Sequence, residues 1–498
     1  MSEAFDGRGG AAPTLALAAS AREEAEVLTP LKRLELVCDP GSLHIIRSAV
    51  RSPALGAKAK EGDGVVGASG SIGGRPVFCY AQDGRSAGGS LGQAHAETIV
   101  RILELAADAQ APVVAFIESA GARVQEGTIA LGGYANVFRA NVRLSGQVPQ
   151  VSIITGSSAG GGCYSPALTD FVVMTKGASM FLTGPAVVRA VTGEDATAAE
   201  LGGDPVHARN GVCQFVADSD TDAAVLVRVL LSYLPQNAWE RPPEIGSIPP
   251  VAGDPGAVVP RLTSQVYDVR EVAKRIVDGG SLLEVSPRWA RNMVTAFARL
   301  GGKSVGVIAN QPRYIGGVID AAGAEKGARF VRTCNAYGIP LVVLVDTPGF
   351  MPGMRQESAG IIRRGAKLLY AFIEAEVSKL TVVLRQGYGG GFITMNCKEL
   401  GADFAFAWPR ARIGIMGAAQ AIGITHRREI AAADDADATR MRLAEQYAEE
   451  HLGAQAAAHK GVIDELVAPS ETRGRLIAAL DALRAKRGGE GRVRNMPI

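Results

Sequence analysis

The chain has 498 residues, 47% hydrophobic and 20% charged, which at roughly 150 residues per domain is a globular protein of several domains. Disordered and small disulfide-bonded chains are excluded. Its 52 basic and 50 acidic residues leave a net charge of +2, too balanced for the basic face of a dedicated nucleic-acid binder.

Residues 1–27 are rich in Ala, Gly and Glu and read as an arm ahead of the core. An N-terminal domain is expected over 28–250 and a C-terminal domain over 251–498. They meet in a Pro-rich stretch, Arg241 to Pro260, whose six prolines in twenty residues forbid a regular helix or central strand. No 18-residue apolar run and no signal-peptide pattern is found, so the expectation is a soluble, unprocessed chain with no membrane partner. Six cysteines without a C-x-x-C pair give neither a zinc cage nor a disulfide framework, and predict a reducing cytoplasm.

The two halves repeat each other. APVVAFIESAG (Ala111 to Gly121) is answered by IPLVVLVDTPG (Ile339 to Gly349), 228 residues on. Each is a Pro, a buried apolar strand, an acid (Glu118, Asp346) and a Gly turn. Next, PQVSIITGSSAGGGCYSPA (Pro149 to Ala167) is answered by KLTVVLRQGYGGGFITM (Lys379 to Met395), with the Gly triplets 229 apart. TDFVVM (Thr169 to Met174) then matches ADFAFA (Ala402 to Ala407). Apolar residues three and four apart predict helices over Thr128 to Ser145 and Ser358 to Glu374. Strand, Gly turn, helix and strand make an α/β unit, so the fold class is a duplicated α/β domain with sheets covered on both faces.

A Gly triplet that ends a strand and opens a helix leaves backbone N–H groups free where no Cβ blocks a ligand. Such a turn can serve as an oxyanion hole, and two related turns offer two. Other chemistries fit poorly. Neither turn has the dinucleotide spacing, and there is no Walker A loop. His95, His207 and His426 stand singly and read as core or surface residues, so no metal is expected. Ser158 lies near the first turn, but TGSSAGG is not a nucleophile elbow. Glu118 and Asp346 could act as acid and base, though a strand-end acid more often caps a helix or pairs with an Arg such as Arg123 or Arg355.

Five longer segments then carry a resemblance: GGSLGQAHAETI (Gly88 to Ile99), SGQVPQVSIITGSSAGGGCYSPALTDFVVM (Ser145 to Met174), VTGEDATAAELGG (Val191 to Gly203), ANQPRYIGGVIDAAGAEKGARFVR (Ala309 to Arg332) and VDTPGFMPGMRQESAGIIRRGAKLL (Val345 to Leu369). From about Leu31 to its end the chain resembles the carboxyltransferase (β) subunits of biotin-dependent acyl-CoA carboxylases, of the propionyl-CoA and acetyl-CoA carboxylase type. The resemblance implies two tandem crotonase-like domains. It implies transfer of a carboxyl group from carboxybiotin to the α-carbon of an acyl-CoA, through an enolate held in backbone oxyanion holes. It assigns the holes to Gly160 with Gly161, read as the acyl-CoA side, and to Gly390 with Gly391, read as the biotin side. Ala120, Gly121, Arg123, Tyr164 and Ile393 are implied to bind substrate, with Ile393 lining the acyl pocket.

The resemblance further implies biotin as cofactor, a coenzyme A thioester as substrate and a homo-oligomer of six chains. A separate biotin carboxylase and biotin carboxyl carrier (α) subunit is implied too, since the chain has no Met-Lys-Met carrier site. Two alternatives stay open: a decarboxylase or transcarboxylase subunit acting on a malonyl- or methylmalonyl-type CoA, and a non-catalytic scaffold subunit. The chain departs from its relatives in places. Gly391 stands where relatives often have Ala, Arg355 precedes QESAG where relatives have QEYGG, and MGAAQAIGI lacks the acid of MGAEGAV. Because Ala would supply the same N–H as Gly391, the hole is expected to survive.

Overall fold

The computed structural model describes residues 28–486 and 493–495; the N-terminal arm expected over 1–27 lies outside the described residues. Two eight-stranded mixed sheets follow one another along the chain. In spatial order the first runs β1 (His44–Ile46), β2 (Val65–Ile72), β3 (Arg75–Gln82), β4 (Val113–Ser119), β5 (Gln150–Ala159), β6 (Phe171–Thr175) and β8 (Phe215–Ala217), with β7 (Ser179–Phe181) extending β5. The second runs β9 (Leu283–Val285), β10 (Met293–Leu300), β11 (Lys303–Asn310), β12 (Leu341–Thr347), β13 (Lys379–Tyr388), β14 (Phe404–Ala407) and β16 (Glu465–Leu466), with β15 (Arg412–Gly414) extending β13.

Pairing is the same in both. The first three strands are antiparallel and the rest parallel. The duplication read from sequence is therefore a duplication of topology, and it extends upstream of the segments that gave it away. The hairpins β2–β3 and β10–β11 each turn on two glycines, Gly73–Gly74 (φ 59° and 75°) and Gly301–Gly302 (φ 62° and 80°). A two-residue turn with both φ positive matches the right-handed twist of its strands, and glycine takes it without strain.

The helices predicted between the matched strands are present as Thr128–Leu144 and Ile361–Glu374. The central strands are buried on both faces: every residue of β6, β12 and β13 is inside. That is why their sequences are apolar runs instead of alternations.

The halves share one core. The Phe297 ring of β10 packs against Phe171 of β6 at 5.9 Å and against Phe330 at 5.0 Å. A polar seam runs beside it. Asp170, at the start of β6, accepts from Tyr337 Oη and Asn495 Nδ2, each at 2.6 Å, and all three are buried. Residues 241–254 contain no regular element; Ile245 N–H bonds the Gly302 carbonyl at 3.1 Å, laying this stretch along the second sheet. No helix among the described residues is long and apolar enough to cross a membrane.

Candidate active site

The parallel strands β5 and β13 both end in the Gly triplets. In the first, Gly160 takes φ 57° and ψ −124°, which only glycine adopts without strain, and the helix Gly161–Ala167 starts directly after it. Gly160 N–H is already committed, bonding the Phe181 carbonyl of β7 at 3.1 Å. Gly161 is the first helical residue, so its N–H has no carbonyl one turn back to meet, and none is found for it among the described residues. Of the pair expected from sequence, Gly161 is thus the free donor in this chain and Gly160 the hinge that aims it. A Cβ at position 161 would lie 2.8 Å from the Tyr134 ring, so only glycine lets that ring approach the turn.

Two grooves flank this turn. One is apolar, formed by Leu131, Tyr134, Phe138, Tyr164 and Leu182 beside Gly160 and Gly161. Tyr164 is half exposed there, with Phe138 edge-on at 6.1 Å. The other is lined by Glu118, Ala120, Ser157, Ala159, Phe181 and Val187. Ala120 is exposed at its mouth, while Gly121 is buried at φ 98° with its N–H on Ser119 Oγ. Ser158 is fully buried and donates to the Gly162 carbonyl at 2.9 Å, a bond that spends its hydroxyl on holding the turn.

The second turn is built likewise. Gly389 has φ 53° and opens the helix Gly389–Thr394. At Gly390 an added Cβ would meet only the Phe350 ring at 3.7 Å, an ordinary van der Waals contact, so the turn has room for a methyl group there. At Gly391 a Cβ would lie 2.7 Å from Gly349 Cα, with the rest of the Gly349 backbone close behind. The two turns-and-strand ends are therefore packed backbone on backbone, tighter than an Ala would allow. This modifies the expectation that Gly and Ala are interchangeable there. Ile393 is half exposed on the following helix.

Arg123, expected to bind substrate, is buried and paired. It is 1% exposed, and its guanidinium holds Asp63 at 2.7 Å, Glu126 at 2.9 Å and the Ser90 carbonyl at 2.9 Å. With these three partners it braces the loop that carries Ala120 and Gly121. Nor does either strand-end acid pair with Arg123 or Arg355. Glu118 pairs with Arg33 at 3.0 Å, and Asp346 with Arg385 at 3.0 Å and Tyr267 Oη at 2.7 Å. Burial pushes the Asp346 carboxyl up to about 6 against the pull of Arg385 and Tyr267. Arg33 and Arg385 were not reached by sequence reasoning, because each meets its acid only through the fold.

The histidines stand apart from one another, each with its own partners. His95 is buried between Gln82 and Asp63, and burial followed by the nearby Arg123 charge lowers its pKa to about 3, so the ring is neutral. His207 Nε2 donates to the Met180 carbonyl (2.6 Å), and His426 meets Thr425 at the surface.

Against known proteins, a carboxyl transferase domain matches residues 22–494. The chain is 47% identical to the propionyl-CoA carboxylase carboxyltransferase subunit of Haloferax mediterranei, over 86% of this chain and 84% of that one. It is 43% identical to the methylmalonyl-CoA decarboxylase subunit alpha of Propionigenium modestum, over 85% and 83%. Among solved structures, the transcarboxylase 12S hexamer with methylmalonyl-coenzyme A bound superposes with a TM-score of 0.89 at 45% identity, covering 93% of this chain and 90% of that one.

Proposed function

The chain belongs to the carboxyl transferase family, and on that premise we propose how its residues perform the transfer. It is the carboxyltransferase subunit of a biotin-dependent acyl-CoA carboxylase, with two tandem crotonase-like domains. One observation carries the assignment of the site. Each half ends a buried parallel strand in a positive-φ glycine, followed by a helix at whose start the Gly161 and Gly390 N–H groups have no backbone acceptor among the described residues.

In the first half, Gly161 N–H, aimed by Gly160, polarises the thioester carbonyl of an acyl-CoA as its α-carbon becomes an enolate. A donor placed where charge develops is typically worth about 3 to 4 kcal/mol. The apolar groove of Leu131, Tyr134, Phe138 and Tyr164 excludes water from the acyl chain, and Ala120 and Gly121 shape the opposite wall. In the second half, Gly390 and Gly391 hold the ureido oxygen of carboxybiotin, and Ile393 borders the acyl chain. Bound biotin supplies the carboxyl group and a base for the α-proton, so the chain itself need furnish donors and walls only. Arg123 acts through the loop it braces.

Neither groove of the first turn contains a residue of the second half. A second copy of the chain therefore completes each site, six copies assemble as in the transcarboxylase 12S structure, and a biotin carboxylase and carrier subunit delivers the carboxyl group. Six free, buried thiols support a cytoplasmic location.

The test mixes the chain with biotinylated carrier, biotin carboxylase, ATP, labelled bicarbonate and acetyl-, propionyl-, butyryl- and longer acyl-CoAs. Acid-stable label in an acyl-CoA is expected, and its loss in Gly161→Pro and Gly390→Pro. Full activity in both variants would refute the assignment of the holes.

A further inference from the structure

Next to each strand-end acid the parallel pairing skips. Ile117 pairs with Ile154 but Ser119 with Ser158, and Val345 pairs with Val383 but Thr347 with Gly387. Two steps on one strand are met by four on the other. Such a bulge bends the longer strand, here toward its glycine turn. Glu118 and Asp346 stand opposite the two bulges.

The halves secure these bulges differently. The first bulge contains Gly156, where a Cβ would lie 2.7 Å from the Glu118 carboxylate, so glycine makes room for the acid. The balancing cation, Arg33, arrives from the helix Pro30–Val37. In the second half the residue equivalent to Gly156 is Arg385, and the bulge carries its own cation. Arg385 Nε bonds Asp346 Oδ2 at 3.0 Å, and its Nη1 bonds the Leu262 and Gln265 carbonyls at 3.1 and 2.8 Å. Tyr267 Oη donates to the same Oδ2 at 2.7 Å, with the Arg385 guanidinium 5.2 Å from its ring centre. Behind the acid, Asp346 N–H bonds Asn310 Oδ1 of β11 at 3.2 Å. Asp346 is fully buried.

We propose that Asp346 is a positioning residue for the second glycine turn: through Arg385 and Tyr267 its carboxylate pins the bulge of β13, and so sets where the Gly390 and Gly391 amides point. This rests on the reading of that turn as an oxyanion hole. Arg385 lies four residues before Gly389 on the same strand, and a shift of about 1 Å at a donor can cost on the order of 100-fold in rate. The ionisable groups facing the carboxylate are Arg385 and Tyr388 of β13 and Tyr267 of the preceding loop. With Asp346 pushed up to about 6 by burial, its protonation removes the ion pair within a range where the enzyme can be assayed.

The test compares wild type, Asp346→Asn, Tyr267→Phe, Arg385→Lys and Gly390→Pro as full chains with carrier and carboxylase, measuring kcat and the acyl-CoA KM between pH 5 and 9. Asp346→Asn is expected to lower kcat about tenfold or more with KM nearly unchanged, and to lose the acid limb of activity expected of wild type near pH 6. Arg385→Lys, which keeps the charge, is expected to retain more activity than Asp346→Asn. Specific activity is referred to folded oligomer, so that a variant that merely folds poorly keeps its wild-type kcat and pH profile. Such a result for Asp346→Asn, with Gly390→Pro inactive, overturns this inference alone. Full activity in Gly390→Pro overturns the reading of the turn itself.

Discussion

Gly391→Ala separates steric from electronic requirements at the second turn. The substitution leaves the backbone N–H in place, so an account based on donors alone expects no effect. The structure expects otherwise. The new Cβ would sit 2.7 Å from Gly349 Cα, 3.1 Å from its carbonyl carbon and 3.3 Å from its nitrogen, all backbone atoms at the end of β12. No flexible side chain can move aside, so the strain falls on the turn or on the strand end. Forcing a methyl group into a packed site costs about 1–3 kcal/mol. For a cooperative unit of this size that is roughly 1–3 °C in Tm. Turn displacement should also lower kcat, by up to about 100-fold if it reaches ~1 Å. Gly390→Ala is the control, since its Cβ would meet nothing nearer than the Phe350 ring at 3.7 Å. Differential scanning calorimetry and the labelled-bicarbonate assay on both variants decide the matter. If Gly391→Ala matches Gly390→Ala in Tm and wild type in kcat, the close-approach argument is refuted.

Arg123→Met should destabilise by about 3–5 kcal/mol, because it strands Asp63 and Glu126 as buried acids, and should raise the acyl-CoA KM of the folded fraction by loosening the Ala120–Gly121 loop; a raised KM at normal stability would instead mark direct substrate contact. Gly161→Ala should abolish most transfer by driving a methyl group into the Tyr134 ring, and Tyr134→Ala in the same chain should restore part of it. Ile393→Asp, half exposed, should shift the preference among acyl-CoAs with little change in Tm, measured by the substrate panel and a melting curve. Asp346 has a stability signature as well. Its folded pKa, raised from 3.8 to about 6, means that the folded state holds the proton more tightly, so its contribution is full below about 4 and lost as pH rises through about 6. At about 1.36 kcal/mol per pH unit, urea melts should show Asp346→Asn gaining about 3 kcal/mol relative to wild type between pH 4 and 7. A difference independent of pH would show that the carboxyl is not perturbed.

Local chemistry was legible in the sequence and long-range partnership was not. The repeated strands declared themselves because a strand buried on both faces must be an apolar run, as in VVAFI and LVVLV, and because glycine triplets are conspicuous. The Gly73–Gly74 and Gly301–Gly302 hairpins carried an equally good two-residue turn signal, and went unread because their strands lack a conspicuous apolar run. Arg33 finds Glu118 across 85 positions and Asn495 finds Asp170 across 325, and no spacing rule reaches that far. Arg123 shows the same limit: its place beside the Ala120–Gly121 loop is legible in sequence, whereas the inward turn of its side chain to Asp63, 60 positions away, is not. The Gly160 amide was counted as free because its acceptor, Phe181, lies on a strand that only the folded sheet brings alongside.

The shared core changes what it means for this chain to be made of two repeats. Phe297 belongs to the second half by sequence, yet it packs on Phe171 of the first, and Tyr337 reaches across to Asp170. Repeats that have merged their interiors no longer melt or drift separately. One calorimetric transition is expected where two sheets would allow two, and a change at Phe297 must be answered in the other half. The duplication supplied two sites to diverge, and the seam tied their histories together afterwards.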